Sequence, residues 1–298
     1  MAANVISPED IARGVVDGVL PVYKEYGETP LECLERLRNI SQFGDALKYA
    51  KLSYAGRLDP LAEGLMIVLV GEENKNRHSH LGLGKTYELD VLFDFSTDTG
   101  DLLGLVTDLV ANPMRVVLQA NHNFNPGPDL DSNSSWSKGI SVEEIKSILP
   151  RLLGEHSFSY PAFSSRTVGG KPLFEWAKGG KLDEIEIPKA KSKIISAELL
   201  GIFTLTDEAI LNKALRAASL VKGNFRQESI VASWHDAILK NSSRREHALV
   251  SLKIECSSGT YMRTLAEYIG SLVGKEALAY RILRTRVGDV SLSDAFRP

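Results

Sequence analysis

Asp59 stands out in this sequence because its surroundings could hold a chemical group still. Its carboxylate belongs to the segment RLDP, where the ring of Pro60 fixes the backbone and offers no N–H that could bond back. A rigid turn of this kind would keep the carboxylate in one place, which makes Asp59 the candidate reactive group. An Asp-Pro pair is also typical of a helix start, where Asp59 would serve only as the N-cap. The local sequence supports both interpretations.

Other patterns that carry chemistry are poorly represented. His78 and His80 are the one close pair among six histidines, and residues two apart face opposite ways on a helix. Because no Cys or Glu cluster lies near them, we expect solvated loop histidines and no metal site. The segment GLGK at 82–85 lacks the spacing and the Ser/Thr of a P-loop, and no GxSxG hydrolase motif occurs. We therefore expect neither a metal nor an organic cofactor.

The elements around Asp59 are predicted from the spacing of apolar residues. Residues 29–37 (TPLECLERL) have the N-cap, the first-turn proline and the spacing of an amphipathic helix. Beyond the Asp59 turn, LAEG at 61–64 is compatible with a helix, and the apolar run 65–70 predicts a buried strand. Alternation over 86–95 predicts a second strand with one face buried.

The rest of the chain continues this mixture. Residues 111–139 are rich in Asn, Pro, Gly and Ser, and their second half is expected to be an exposed loop. Ser141 and Glu144 form the pattern of a capping box, which predicts a helix to about Leu149 or slightly beyond. Further predicted elements are a turn at 169–172 before a short helix, a helix over 206–222, a strand over 249–256, and a helix carrying Met262, Leu265, Ile269 and Leu272. Because no βαβ rhythm or repeat is present, we expect an α+β architecture with an inserted lobe near 110–245.

The composition is that of a globular protein. The 298 residues are 43% hydrophobic and 24% charged, which suffices for one large core or two medium ones and excludes a disordered or collagen-like chain. The longest apolar run is 65–70, far short of the roughly 20 residues of a membrane span. Cys33 and Cys256 lie far apart and the N-terminus lacks the pattern of a signal peptide, so we expect a cytoplasmic protein without membrane contact.

The net charge of −3 argues against a general polyanion binder. The charge is unevenly distributed along the chain, because residues 240–298 contain ten Lys or Arg against six acidic residues. The surplus in this segment is compatible with an anionic partner.

The segment around Asp59 gains meaning from its continuation. Residues 56–65 (GRLDPLAEGL), followed by the apolar run and a Gly-Glu pair, resemble the G-x-L-D-P-x-A-x-G motif of the TruB family of pseudouridine synthases. Further matches follow in family order: KTY at 85–87 for K-x-Y, TDTGD at 97–101 for T-D-T-x-D, SGTYMRTL at 258–265 for S-x-G-T-Y-I-R-T-L, and LRTRVG at 283–288 for L-R-R-x-x-V. Residues 160–180 resemble a TruB-specific insertion. The resemblance spans roughly residues 17–290.

The chain departs from the family pattern at several places. Tyr54 stands where the family usually has His, and the early K-P-x-G-x-T/S stretch is present only as KEYGET at 24–29. Residues 111–139 and 206–247 have no clear counterpart. We expect one catalytic domain over 1–298, with inserted thumb-like segments at about 111–180 and 206–247 and without the PUA domain that family members commonly carry.

The resemblance implies a pseudouridine synthase fold, which is a mixed, largely antiparallel central sheet flanked by helices, with an inserted RNA-clamping lobe at 158–180. It also implies a cofactor-free reaction in which a uridine becomes detached at N1 and is rejoined through C5. Asp59 would be the nucleophile or base, and would attack C1′, attack C6 or abstract the 2′ proton. Arg263 would keep that carboxylate ionised and hold it bidentately. Tyr87 would stack on the flipped uridine or carry the proton at C5.

The substrate-binding residues implied by the resemblance are Tyr54, Arg57, Leu58, Lys85, Asp98, Asp101, Lys171, Tyr261, Leu283 and Arg284. Leu283 would pack against the flipped ring or fill the core, and Asp98 and Asp101 would order an RNA-contacting turn. The candidates for phosphate contact are Lys171, Lys178, Arg284 and Arg286.

We therefore expect a monomeric enzyme that acts on the T-arm of tRNA, at the T-loop uridine conventionally numbered 55. A synthase for another RNA, which Tyr54 would favour, is the first alternative. A non-catalytic RNA-binding or RNA-folding factor is the second, and a small-molecule glycosyl-bond enzyme with a second carboxylate is the third.

Overall fold

The structure is a computed structural model that describes residues 4–107, 139–240 and 246–297. Its strands are β1 (Gly18–Lys24), β2 (Leu52–Ala55), β3 (Ala62–Val70), β4 (Lys85–Phe93), β5 (Gly154–Ser159), β6 (Thr167–Val168), β7 (Lys171–Pro172), β8 (Lys189–Thr206), β9 (Glu246–Cys256), β10 (Ala277–Val287) and β11 (Val290–Ser291). Its α-helices are α1 (Pro8–Ala12), α2 (Pro30–Arg38), α3 (Arg77–Leu81), α4 (Val142–Leu152), α5 (Leu173–Lys178), α6 (Asp207–Leu220), α7 (Gln227–Lys240) and α8 (Met262–Leu272).

A nine-stranded sheet, counted over the described residues, organises the fold in the order β1-β3-β10-β4-β9-β8-β5, with β2 paired to β3 and β11 to β10. The pairings are antiparallel except that of β3 with β10, in which Ala62 lies opposite Ile282 and Gly64 opposite Arg284. The hairpin of β6 and β7 forms a separate two-stranded sheet. The predicted α+β class with a mixed, largely antiparallel sheet is confirmed.

Helices cover both faces of this sheet. Ile148 of α4 and Leu265 of α8 pack with Val91 of β4 on one face. Trp234 of α7 packs with Leu92 of β4 on the other. Successive strand residues point to opposite faces, and helices pack against both faces of β4. The expectation that only one face of this strand is buried is therefore wrong. Only Glu88 and Asp90 of β4 remain partly exposed.

Capping signals located the helices well. Thr29 accepts a hydrogen bond from the N–H of Glu32 at the start of α2, and Ser141 does the same for Glu144 at the start of α4. The helices predicted after residue 172, over 206–222 and from Met262 are confirmed as α5, α6 and α8. The predicted strands are confirmed as β3, β4 and β9.

The helix compatibility of residues 61–64 was misleading. Residues 62–64 begin β3, because all three pair with β10 and Gly64 also pairs with Lys24 of β1. Gly64 has φ +102, and a Cβ there would lie 2.5 Å from the carbonyl oxygen of Arg284. Pairing between distant strands therefore outweighs local helix propensity at this point.

Several features were not anticipated. The 18-residue strand β8 and helix α7 had no clear local signal, and β5 with β8 extends the main sheet from within the segment expected to form a lobe. His80 is not a solvated loop residue, because it is buried on α3 and its Nε2 lies 2.6 Å from Oε1 of Glu73. The loop expected in 111–139 lies outside the described residues except for Gly139.

None of the helices in the described ranges is both long and apolar enough to span a bilayer.

Candidate active site

A cavity of about 520 Å³ opens where the turn before β3, the start of β4 and the start of α8 meet. Asp59, Tyr87 and Arg263 all contribute to its wall. The three residues are far apart in sequence, and the parallel contact of β3 with β10 and the antiparallel contact of β10 with β4 bring their elements together. The cavity therefore collects the residues expected to be catalytic.

The Asp59 turn, residues 56–61, is held from below by a buried ammonium group. Nζ of Lys24 donates to the carbonyl oxygens of Glu25 at 2.9 Å, Pro60 at 3.2 Å and Ala62 at 2.7 Å. Burial lowers the pKa of Lys24 to about 8. No α-helix begins at Asp59, since β3 follows at Ala62, so the N-cap interpretation is wrong.

Arg263 is the partner of Asp59. Its Nε donates to Oδ2 of Asp59 at 2.8 Å, and the side chains are 3% and 29% exposed respectively. Nη1 and Nη2 of Arg263 donate to the carbonyl oxygens of Thr99 at 2.8 Å and Phe163 at 3.3 Å. The expected bidentate contact is thus a single hydrogen bond, because the other two nitrogens are engaged by the backbone. Burial alone would lower the pKa of Arg263, but Asp59 and Asp101 reverse the shift and raise it.

The two aspartates of residues 97–101 have different surroundings. Asp101 is buried in the cavity wall and accepts hydrogen bonds from Oγ1 of Thr99 at 2.8 Å and the N–H of Leu103 at 2.9 Å. Burial raises the pKa of Asp101. Asp98 lies outside the lining and accepts from the N–H of Leu105 at 2.9 Å. Each aspartate thus accepts a hydrogen bond from a backbone N–H that follows the turn, and these hydrogen bonds stabilise the turn.

Tyr87 and Lys85 reach the cavity from the same face of β4. Tyr87 is 7% exposed, and burial raises the pKa of its phenol. Nζ of Lys85 donates to the carbonyl oxygens of Leu81 at 2.8 Å and Leu83 at 2.6 Å. Burial lowers the pKa of Lys85 to about 8. Lys85 is therefore held by the backbone between α3 and β4, although it lines the cavity.

Arg284 does not have the surface position that phosphate contact would need. It is 1% exposed, and it donates from Nε to the carbonyl oxygen of Leu65 at 2.7 Å and from Nη2 to that of Gly56 at 3.0 Å. Gly56 begins the Asp59 turn and Leu65 lies in β3 beyond it, so Arg284 ties the start of the turn to that strand. Sequence position alone gave no sign of this burial.

Of the two roles expected for Leu283, contact with the flipped ring and core filling, its buried position fits core filling. Residues 282 and 284 of β10 line the cavity, whereas Leu283 points to the opposite face, towards Gly64. The alternation of a strand therefore places Ile282 where Leu283 was expected.

Other predicted residues divide between the cavity and its surroundings. Arg57, Leu58, Tyr261 and Lys178 line the cavity. Tyr54 and Lys171 do not, because Tyr54 faces Arg77 of α3 at 5.9 Å and Lys171 lies over the ring of Trp176 at 5.3 Å. Arg286 is on the surface, where its Nε donates to the carbonyl oxygen of Gly288.

Comparison with known proteins adds to this geometry. A family model described as TruB family pseudouridylate synthase (N terminal domain) matches residues 45–123, which include Asp59 and Tyr87. A tRNA pseudouridine synthase B of Listeria monocytogenes is 28% identical over 275 residues, covering 92% of this chain and 67% of that relative. A protein of the same name from Azoarcus is 29% identical over 285 residues, covering 96% of this chain and 69% of that relative. The chain is therefore similar to the TruB family of pseudouridylate synthases in residues 45–123, and to the named relatives over most of its length.

Solved structures share the fold of this chain. A chain of the "Crystal Structure of a Cbf5-Nop10-Gar1 Complex" superposes with a TM-score of 0.52 at 16% identity, covering 97% of this chain and 56% of that one. The chain therefore spans little more than half the length of that neighbour.

The cavity is also lined by residues that the sequence analysis missed. Phe163 lies within the 160–180 insertion, whose resemblance to the family could have indicated it. Asn224, Phe225 and Arg226 belong to the connection between α6 and α7, and no sequence signal pointed to them. Among the described residues, no group of three or more His, Cys, Asp or Glu side chains could hold a metal ion.

Glu267 lies one helical turn beyond Arg263 on α8, behind the cavity. It is 8% exposed, and neither carboxyl oxygen has a hydrogen-bond partner among the described residues. Burial raises the pKa of Glu267 from 4.5 to about 8, although Arg263 opposes the shift. The raised pKa favours the neutral carboxylic acid form of Glu267 at pH 7 in the folded chain.

Replacing Glu267 by Gln should flatten the pH dependence of stability. Between the ordinary pKa of 4.5 and about 8, the folded chain holds a proton that the unfolded chain has released. Stability from this group is thus complete below pH 4.5 and is lost as the pH rises towards 8, at about 1.4 kcal/mol per pH unit.

Urea unfolding at pH 6 and pH 8 measures the difference. We expect the wild type to lose about 2 kcal/mol more than Glu267→Gln over that interval. Glu255→Gln, at an exposed position of β9, is the matched control. Equal losses in wild type and Glu267→Gln would show that Glu267 is ionised in the fold.

Proposed function

We propose that this chain converts uridine to pseudouridine in RNA, that its target is T-loop uridine 55 of tRNA, and that Asp59 is the reacting carboxylate. The observation that carries the proposal is the Asp59–Arg263 ion pair, which lies within one cavity beside Tyr87. Support also comes from relatives that bear the name tRNA pseudouridine synthase B.

The reaction needs a positioned carboxylate and a protected base. The bond between N1 and C1′ breaks, a bond between C5 and C1′ forms, the C5 proton leaves and N1 gains a proton. Asp59 can serve by attacking C1′, by attacking C6 or by abstracting the 2′ proton, and each route requires its ionised form. The buried guanidinium of Arg263 donates a hydrogen bond to this carboxylate at 2.8 Å and so holds it in position.

The shape of the site suits a flipped nucleotide. A cavity of about 520 Å³ is within the usual range for small-ligand sites, and a base stacked within an RNA helix could not reach Asp59. Tyr87 supplies an aromatic ring in the wall, where stacking recovers energy lost on flipping. Ile282 supplies the apolar contact first expected from Leu283.

The clamp, residues 158–180, is the proposed holder of the RNA arm. Phe163, Phe174 and Lys178 place this segment in the cavity wall. Lys178 also donates to the carbonyl oxygen of Asn224 at 2.6 Å, which ties the clamp to the connection between α6 and α7. We further propose that the chain acts as a monomer in the cytoplasm without a metal, and its buried free Cys33 and Cys256 suit a reducing compartment.

Release of the C5 hydrogen tests the reaction class. Purified chain is incubated with an unmodified T-arm hairpin and with full-length tRNA transcript, both carrying tritium at uridine C5. Tritium in solvent at one equivalent per RNA supports isomerisation of a single uridine. Binding without release would favour the alternative of a non-catalytic RNA-binding factor, and release only from RNAs other than tRNA would favour another target.

Two substitutions of Tyr87 separate its possible roles. If the ring stacks on the flipped base, Tyr87→Phe keeps RNA affinity and Tyr87→Ala weakens it by about 5- to 150-fold. If the phenol transfers a proton, both variants lose turnover by about 10²- to 10⁴-fold. Dissociation constants and single-turnover rates distinguish these outcomes, and unchanged rate and affinity in both would remove Tyr87 from the site.

A further inference from the structure

The connection between α6 and α7 forms part of the cavity wall. It lies within residues 206–247, for which the sequence showed no clear family counterpart. Asn224, Phe225 and Arg226 line the cavity together with Asp59. This part of the chain therefore has access to an RNA bound at the candidate active site.

Arg226 is fixed from two directions. Its Nη1 lies 2.6 Å from Oδ2 of Asp98 and its Nη2 lies 3.2 Å from Oδ1, so the edge of the guanidinium forms a bidentate ion pair. The guanidinium also lies over the ring of Phe163 at 4.2 Å. The backbone of Arg226 has φ +63, a conformation that is costly for a residue with a side chain. Arg226 is thus held in place at some conformational expense.

The part of the Arg226 guanidinium that is not engaged by Asp98 or Phe163 determines which group of an RNA it can contact. Asp98 neutralises its charge and engages its edge, while Phe163 covers one of its planar faces. The side chain is still 22% exposed and lines the cavity. A flat guanidinium that is partly exposed in the cavity suits the stacking of a nucleobase, whereas a phosphate would have to compete with Asp98 for the N–H groups.

We propose that Arg226 is a substrate-recognition residue whose guanidinium stacks on a nucleobase next to the target uridine. This inference rests on the proposed function and extends it to a second nucleotide of the RNA. Phe163 and Asp98 pre-organise the guanidinium, so little conformational entropy is lost when the base is bound.

A positioning role is the main competing explanation. The carbonyl oxygen of Phe163 accepts a hydrogen bond from Arg263, so a disturbance at Arg226 could reach Asp59 through three successive contacts. A positioning residue would change the rate of the chemical step, whereas a stacking residue would change the affinity for one particular nucleotide. The experiment must separate these effects.

The test is a double-mutant cycle between protein and RNA. Binding is measured for T-arm hairpins that are intact or carry one abasic site at each nucleotide flanking the target. The proteins are wild type, Arg226→Lys, which keeps the charge but loses the plane, and Lys222→Ala, an exposed control on the same connection. We expect Arg226→Lys to bind the intact hairpin about 5- to 150-fold more weakly, with Lys222→Ala close to wild type.

At one of the flanking positions, an abasic site should weaken hairpin binding by the wild type by the same factor. The same abasic site should not weaken hairpin binding by Arg226→Lys any further. Losses that multiply at every abasic position would overturn the proposal. So would unchanged binding in Arg226→Lys, as a phosphate contact predicts, or a lowered single-turnover rate with unchanged affinity, as a positioning role predicts.

Two controls keep the result interpretable. If Arg226→Lys melts well below the wild type, Asp98→Asn is used in its place, because that change frees the guanidinium without removing it. We expect Asp98→Asn to bind the hairpin more weakly, with a loss that is coupled to the same abasic position. A loss that is independent of that position would contradict the proposal. Tritium release by wild type from the intact hairpin is followed in parallel. Its absence would reject the proposed function, whereas the binding cycle alone decides the stacking contact.

Discussion

Replacement of Asp59 by Asn is expected to abolish pseudouridine formation while leaving RNA affinity within a few-fold of wild type. The substitution removes the charge but little volume, and Lys24 and Arg284 still hold the turn through backbone carbonyls. General-base action alone contributes about 10²- to 10⁴-fold, so the single-turnover rate should fall by at least a hundredfold. RNA binding by fluorescence anisotropy, with saturating enzyme in the rate assay, separates the two quantities.

Asp45→Asn is the matched control, because Asp45 is an exposed carboxylate in a contact with Lys48. Its rate should equal that of wild type. A rate for Asp59→Asn above about one hundredth of the normal value would place the nucleophile or base at another residue.

Replacement of Arg263 by Gln is expected to damage both activity and stability. The change removes the guanidinium whose Nε lies 2.8 Å from Oδ2 of Asp59 and 3.8 Å from Oδ2 of buried Asp101. Breaking a buried ion pair by removing one member typically costs about 3–5 kcal/mol, since the other charge is left unpaired. We expect a loss of that order in the free energy of unfolding and a fall in rate of at least a hundredfold.

Urea unfolding and single-turnover kinetics measure the two effects of Arg263→Gln. Arg151→Gln, at an exposed position of α4, should leave both unchanged. Unfolding of Arg263→Gln within about 1 kcal/mol of wild type would mean that Asp59 and Asp101 find other partners or become neutral.

Local signals were sufficient for much of the fold and for the centre of the site. Thr29 and Ser141 marked the helix starts, because a capping side chain accepts a hydrogen bond from a residue only three positions later, and such a short pattern can be identified in the sequence. The rigid Asp-Pro turn and the family motifs indicated Asp59, Tyr87 and Arg263, which the fold brings to one cavity.

The misassigned residues depend on contacts between distant segments. Leu283 and Ile282 differ only in which face of β10 they occupy, and that is fixed by pairing with β3 and β4. Arg284 resembles a surface cation in sequence but is buried beneath the turn it holds. Arg226 enters the site only because the connection between α6 and α7 reaches Asp98, a contact across 128 positions of sequence.

Mapping of pseudouridine at single-nucleotide resolution tests the central claim most directly. An unmodified tRNA transcript is incubated with wild-type protein or with Asp59→Asn, and every uridine is then assayed. We predict one pseudouridine, at T-loop position 55, formed by wild type and absent with Asp59→Asn. No pseudouridine at any position with wild type, or the same pseudouridine with Asp59→Asn, would contradict the account.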